Sequence, residues 1–186
     1  AQEDRTWISR TEQGGDGLTV NWNRQNFAGD DPEKHPAVEA LRRDQASAIQ
    51  EVGSSCGEVW VVVPPADAIA VLTFLRDDPA LKFDFLSDLT AVHWPDRAGA
   101  EFDVVHQLYS ISHRSRFRVK VRLADGESTP TVSGIWKTAD WLEREVYDMF
   151  GIRFDGHPDP RRIINPDDFE GYPLRKEFPL QGRVRW

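Results

Sequence analysis

Cysteine is almost missing from this chain: Cys56 is the only one in 186 residues. A single thiol excludes an internal disulfide and any all-cysteine metal site within one chain, and it suits a reducing compartment. Long apolar runs are missing too. The longest, around Val59–Val63, is strand-sized and falls far short of the roughly 18–20 residues that span a bilayer. No charged-then-apolar leader with a small-residue cleavage site is present, so no secretion signal is expected in these residues. Basic excess is also lacking. The formal net charge of −8 argues against general nucleic-acid binding, which needs a concentrated cationic face. Gly14-Gly15-Asp16-Gly17 lacks the spacing and the Lys-Ser/Thr of a phosphate loop, and no Gly-x-Ser-x-Gly elbow occurs.

What is present is enough for one core. Apolar residues make up 39% of the chain, with 7 Trp and 10 Phe, which argues against general disorder. The length suits one domain plus an extended tail. Residues 1–36, rich in Gly, Asn, Asp and Gln, read as a loose or partner-dependent arm. A body is expected over 37–151 and an extended partner-binding segment over 152–186. Helix formers run from Ala37 to Val52, with Gly53 as the stop. Glu58–Val63 reads as a buried strand between Gly57 and Pro64. Pro65 and Asp67 open a second, core-facing helix carrying Ile69, Leu72 and Leu75, which Asp78-Pro79 ends.

From Phe83 the pattern turns to strands: Asp88–Trp94, Glu101–Ser110 and Ser115–Leu123. In the last, Phe117, Val119, Val121 and Leu123 alternate with Arg116, Arg118, Lys120 and Arg122, so an antiparallel strand with one buried face is expected. Thr131–Trp136 is a further strand candidate. A helix follows, with Thr138 or Asp140 as cap and Glu143 completing something close to a capping box. Leu142, Val146, Met149 and Phe150 fall on one face, and Gly151 on a left-handed C-cap. The fold class is α+β: one mixed, antiparallel-rich sheet packed by helices, then an extended C-terminal strap.

Candidate chemistry is sparse. Glu143, Glu145 and Asp148 invite a metal or acid–base reading, but no Glu-x-x-His occurs, so pairing with Arg144, Arg161 or Arg162 is preferred. His106 and His113 flank a hairpin without a third ligand at supporting spacing. His157, in Gly156-His157-Pro158, reads as a backbone-bonding turn residue. Cys56 reads as a small packed side chain. The cationic row Arg116, Arg118, Lys120 and Arg122 has two readings of equal weight: a solvated face that deters aggregation, or a docking face for an acidic partner.

Beyond Gly151, five prolines (158, 160, 166, 173 and 179) bar helix, yet Phe154, Ile163, Ile164, Phe169, Tyr172, Leu174, Phe178 and Leu180 make the segment apolar. Such a tail needs a surface to lie on, its own body or another subunit. The basic pairs Arg161-Arg162 and Arg175-Lys176, set among Asp159, Asp167, Asp168, Glu170 and Glu177, suit a protein–protein strap.

The run Trp141-Leu142-Glu143-Arg144-Glu145-Val146-Tyr147-Asp148-Met149-Phe150-Gly151-Ile152 resembles the signature of the thirty-kilodalton subunit family of respiratory complex I. The likeness continues through Gly156-His157-Pro158-Asp159, Arg161-Arg162-Ile163-Ile164, Pro166-Asp167-Asp168-Phe169-Glu170-Gly171, Pro173-Leu174-Arg175-Lys176 and Phe178-Pro179-Leu180. It is looser from Phe83. Pro160 stands where Leu is usual, Phe169 for Trp, Glu177 for Asp, and His93 for an acidic residue. The resemblance implies a non-catalytic subunit of the peripheral arm of a proton-translocating NADH:quinone oxidoreductase. It would sit on the cytoplasmic side of the bacterial cell membrane, or on the matrix side if organellar. No cofactor is implied in this chain; flavin, iron–sulfur clusters and quinone would lie on other subunits. The implied partners are other peripheral-arm subunits, especially those of the quinone site, with no nucleic acid and no membrane span. The expected partner contacts are Arg116, Arg118, Lys120, Arg122, Glu143, Arg144, Glu145, Asp148, His157, Arg161, Arg162, Asp167, Asp168, Phe169, Tyr172, Arg175, Lys176 and Phe178. A corresponding subunit of a membrane-bound hydrogenase, or of a quinone oxidoreductase with another donor, is the alternative.

Overall fold

Alternation along the third nine-residue strand sets the architecture. In a computed structural model that describes residues 31–179 and 181, Phe117, Val119, Val121 and Leu123 are all buried, while Arg116, Arg118, Lys120 and Arg122 occupy the opposite face. Five strands form the sheet in the order β1-β2-β5-β4-β3: β1 Glu51–Ser55, β2 Glu58–Val63, β3 Phe85–His93, β4 Phe102–Ser110 and β5 Ser115–Leu123. β5 is antiparallel to β4, as expected, but its other edge runs parallel to β2, so the sheet is mixed. The expected arm falls outside the described residues apart from its last six positions.

All three α-helices among the described residues feed one core. α1 (Pro36–Asp44) contributes Val38 and Leu41, and α2 (Ala68–Asp77) contributes Val71, Leu72 and Leu75. α3 (Ala139–Phe150) contributes Val146, Met149 and Phe150. Val62 and Val105 are buried but stand apart from that core, on the sheet's cationic side. The class is α+β.

Four local expectations need correction. The first helix ends at Asp44, not Val52; Val52 and Gly53 belong to β1, where pairing with β2 satisfies their backbone groups. Gly53 lies under the Trp60 ring, and a Cβ there would come within 2.4 Å of it. Cys56 is exposed at the tip of the β1–β2 hairpin rather than packed. Cys56 and Gly57 take φ values of 52° and 76°, the two positive angles that a two-residue primed turn requires.

Thr131–Trp136 is a turn, not a strand. The extended pairing falls one step earlier, where β6 (Ser128–Pro130) runs parallel to β7 (Arg153–Asp155). The capping box is absent: Asp140 lies inside α3 rather than at its cap, and the N-cap Thr138 makes no side-chain cap hydrogen bond, its hydroxyl donating instead to the Leu86 carbonyl at 3.4 Å. Gly151 does adopt the left-handed C-cap, at φ 79°.

Candidate subunit interface

α3 ends in carbonyls that no further turn can satisfy, and the chain after Gly151 returns to supply their donors. The centre of this arrangement is Asp148, whose side chain is fully buried. Its Oδ2 accepts the backbone N–H groups of Ile163, Ile164 and Asn165 at 3.1, 2.8 and 2.8 Å. Its Oδ1 accepts Arg162 Nη1 at 2.6 Å and Asn165 Nδ2 at 3.0 Å. Burial pushes this carboxyl up, but the two Asn165 bonds, the Ile164 amide and the Arg162 guanidinium together hold it well below the usual carboxylate range. One carboxylate thereby shapes three consecutive residues of a segment that has no secondary structure.

Two arginines complete the clasp. Arg162 also donates to the Asp148 and Gly171 carbonyls, at 3.2 and 3.3 Å. Arg175 Nε donates to the Phe150 carbonyl at 2.6 Å, and its terminal nitrogens reach Asp125 at 2.9 and 3.2 Å. Cationic groups at a helix C-terminus also complement its dipole. Both guanidinium groups lie over the Tyr172 ring, 5.4 Å away for Arg162 and 5.1 Å for Arg175. Tyr172 packs so close to Gly151 that a Cβ there would meet its ring at 2.5 Å. Leu174 N–H donates to the Met149 carbonyl at 3.1 Å, and Lys176 N–H to His93 Nδ1 at 3.0 Å.

The opposite end of α3 is fastened to residues 157–162. Glu143, fully buried, accepts the Thr131 hydroxyl and, at 2.7 Å, the Val132 N–H. Burial raises its pKa, against the pull of the Thr131 and Val132 bonds. His157 Nδ1 accepts the Asp159 N–H at 3.0 Å, so the ring proton sits on Nε2, which faces the Asp140 carbonyl at 3.0 Å. The turn role expected for His157 is therefore what the geometry provides. Arg144 donates to the Arg161 and Arg162 carbonyls at 3.1 and 3.0 Å.

The expected contact residues thus divide. Glu143, Arg144, Asp148, His157, Arg162 and Arg175 turn inward and hold the strap on the body. Glu145, Arg161, Asp167, Asp168 and Lys176 are exposed, and Phe169, Tyr172 and Phe178 are half-buried, with Phe169 and Phe178 stacked at 6.0 Å. Large apolar side chains stand outward beside them: Trp141 at 66%, Ile164 at 60% and Leu174 at 52% exposure. The cationic row of β5 is not at this site. Its members pair across the sheet, Arg116 and Arg118 with Glu58, and Arg122 with Asp103 and Glu51, while Lys120 lies 3.7 Å from the Trp60 ring.

Asn165, Asp125 and His93 join the clasp without a strong sequence signal. Asn165-Pro166 is a turn signal that could have drawn attention to the first. His93 accepts the strap's Lys176 N–H, and its ring stacks on Phe102 at 4.5 Å. Among the described residues no group of three or more His, Cys, Asp or Glu is placed to hold a metal ion, and no helix is long and apolar enough to cross a membrane.

Comparison with known proteins identifies the family. The family model described as respiratory-chain NADH dehydrogenase, 30 Kd subunit, matches residues 61–184. A C-type subunit of the NADH-quinone oxidoreductase of Rhizobium meliloti (strain 1021) is 47% identical over 136 residues, 73% of this chain and 74% of that protein. The C-type subunit of the Geotalea uraniireducens (strain Rf4) enzyme is 46% identical over 154 residues, 82% and 92% of the two chains. Among solved structures, a trypsin-resistant fragment (1-134) of Nqo5 superposes with a TM-score of 0.57 at 34% identity, covering 65% of this chain and 96% of the fragment. A chain of the membrane-bound sulfane sulfur reductase, an archaeal respiratory membrane complex, superposes with a TM-score of 0.61 at 26% identity, covering 76% and 82%. With about two thirds of its length inside the family model and near-half identity to these relatives, the chain belongs to the family of the 30 Kd subunit of respiratory-chain NADH dehydrogenase.

Proposed function

We propose that this chain is a non-catalytic subunit of the peripheral arm of an NADH-quinone oxidoreductase, where it braces the subunits that form the quinone site. The observation that carries this reading is the Asp148 clasp. Five donors converge on one buried carboxylate and give an irregular strap a fixed course along α3. A strap held this way presents Ile164 and Leu174 outward, a surface suited to a protein neighbour rather than to water. Rigidity before assembly lowers the ordering cost at the interface.

In this reading Arg161, Asp167, Asp168, Lys176, Phe169, Tyr172 and Phe178 meet neighbouring subunits, and the inward residues act by shaping the strap. Electron carriers and quinone belong to the neighbours, and attachment on the cytoplasmic side of the cell membrane runs through them. A second reading, the same brace in a complex with another electron donor, draws on the likeness to the sulfane sulfur reductase chain. The higher identity of the NADH-quinone oxidoreductase relatives favours the first.

The test is the double variant Ile164→Glu with Leu174→Glu in the full chain. The folded subunit is expected to melt as the parent does, because both side chains are solvent-facing. Co-purification of its partner subunits, read by mass spectrometry, and NADH-dependent quinone reduction by the isolated complex are both expected to be lost. A normal yield of active complex contradicts the brace. A complex of the unsubstituted chain that reduces sulfane sulfur instead of quinone supports the second reading.

A further inference from the structure

The clasp sorts the strap's charges by sign. Arg144, Arg162 and Arg175 are spent on the strap's own fold. Arg162 holds Asp148, Arg175 holds Asp125, and Arg144 donates to the Arg161 and Arg162 carbonyls. Arg161 is exposed, but both arms of its guanidinium are bonded to Asp159, at 2.6 and 2.8 Å. A cation matched by its own carboxylate adds little net charge to the surface.

The carboxylates have the opposite fate. Between Ile163 and Leu174 the charged residues are Asp167, Asp168 and Glu170, and all are exposed. None of them has an ion pair or a side-chain hydrogen bond among the described residues. From Ile163 onward, Lys176 is the one cation of the described residues without an ion pair, so it offsets at most one of the three. The outward charge of this segment is negative.

Two solvent-facing aliphatic side chains, Ile164 and Leu174, stand at the ends of the same segment. Both are fixed in place: the Ile164 N–H bonds to Asp148, and the Leu174 N–H to the Met149 carbonyl. Half-buried Phe169 lies between them in sequence, 5.9 Å from the Arg162 guanidinium and 6.0 Å from the Phe178 ring. Apolar groups alone would accept many neighbours. Carboxylates beside them do not, because an apolar or acidic face strands them without water or a counter-charge. The strap's own cations cannot turn outward to neutralise them without undoing the clasp.

Resting on the brace reading, we infer that the partner face receiving the strap is basic: an apolar depression for Ile164 and Leu174, rimmed by lysine or arginine side chains that pair with Asp167, Asp168 and Glu170. The two aliphatic side chains hold the complex together. The three carboxylates speed encounter, fix the strap's orientation and reject acidic surfaces.

The experiment follows binding of the full chain to the immobilised partner subunits that co-purify with it. It is run at about 50 mM and about 500 mM salt, a range over which exposed charges become screened. The parent is expected to associate about tenfold faster, or more, at the lower salt. Asp167→Asn, Asp168→Asn and Glu170→Gln together are expected to slow association about tenfold at low salt, to match the parent at high salt, and to melt as it does. Glu39→Gln with Asp88→Asn, exposed carboxylates on α1 and β3, is expected to change neither rate. Ile164→Asn with Leu174→Asn, which alters no charge, is expected to speed dissociation at both salts. A carbodiimide, which joins carboxylates to amines, is expected to link residues 167–170 to lysines of a partner subunit. A triple variant that associates as fast as the parent at low salt, while the Ile164 and Leu174 variant dissociates faster, overturns this inference and leaves the brace standing. Parent-like binding by both variants overturns the brace as well. Links from 167–170 to a second copy of the chain also overturn the inference.

Discussion

Two buried carboxylates on α3, five residues apart, do opposite things because their partners differ. Asp148 is surrounded by donors, including a guanidinium, and stays ionised to very low pH. Glu143 has one hydroxyl and one backbone N–H, too few to offset its burial, and its pKa rises. A raised carboxyl pKa means that the folded chain holds the proton more tightly than the unfolded one. That contribution is complete below the ordinary glutamate range and is lost as pH rises through the folded value. Glu143→Gln keeps an acceptor for Val132 without the charge, so its stability relative to the parent is expected to improve from pH 5 to pH 8. Glu143→Ala strands the Val132 N–H and is expected to cost about 2 kcal/mol at pH 5. Its cost is expected to be less at pH 8, because it too lacks the titrating carboxyl. Urea unfolding checks this; a constant gap between the Gln variant and the parent across that pH range contradicts the burial argument.

At the scale of elements, Gly151 joins the last helix to the strap. Two demands meet there, a positive φ and room for the Tyr172 ring, and they can be separated by a paired substitution. Gly126, at φ 83°, has nothing near its missing Cβ. Gly126→Ala is expected to cost about 1 kcal/mol from backbone conformation alone. Gly151→Ala adds a clash with Tyr172, and is expected to lose at least about 1 kcal/mol more. Equal losses on denaturant unfolding would show that Tyr172 yields freely.

The elements most legible in the sequence are those with a strong period or a strong stop. Strict alternation marks β5 to the residue, Pro65 and Asp78-Pro79 bracket α2, and Gly151 marks the end of α3. The corrected elements share a physical cause. Helix formers over Gln45–Val52 are overruled by a hairpin whose turn pair, Cys56-Gly57, carries only a faint signal. The capping box does not form because α3 begins at Ala139, which places Asp140 within its first turn, and Glu143 takes its donors from Thr131 and Val132 in the preceding turn. The clasp itself is half legible: charged pairs among prolines mark a strap, but convergence of 163–165 on Asp148 is a tertiary fact that no local pattern encodes.

Across the whole molecule, acidity acts on the core through two imidazoles. His35 and His106 are both buried, and burial lowers each to about 4. A base whose folded pKa is depressed contributes stability that is complete above its unfolded value. That stability is lost as pH falls from about 6.5 toward the folded value. The two together are expected to remove a few kcal/mol, on the order of 2–3 kcal/mol for each ring, between neutrality and about pH 4. His106→Leu is expected to flatten this acid limb in thermal melts; an unchanged slope places the acid sensitivity elsewhere.

The strap's role in assembly depends on its being ordered by its own body before any neighbour arrives. Amide hydrogen exchange on the isolated full chain measures that order at Ile163, Ile164 and Asn165, the three N–H groups that Asp148 accepts. Protection approaching that of the core strands is expected, roughly a thousandfold or more over free exchange, and selective loss of it in Asp148→Asn. Exchange of these three amides at the unprotected rate in the isolated chain would contradict a preformed brace.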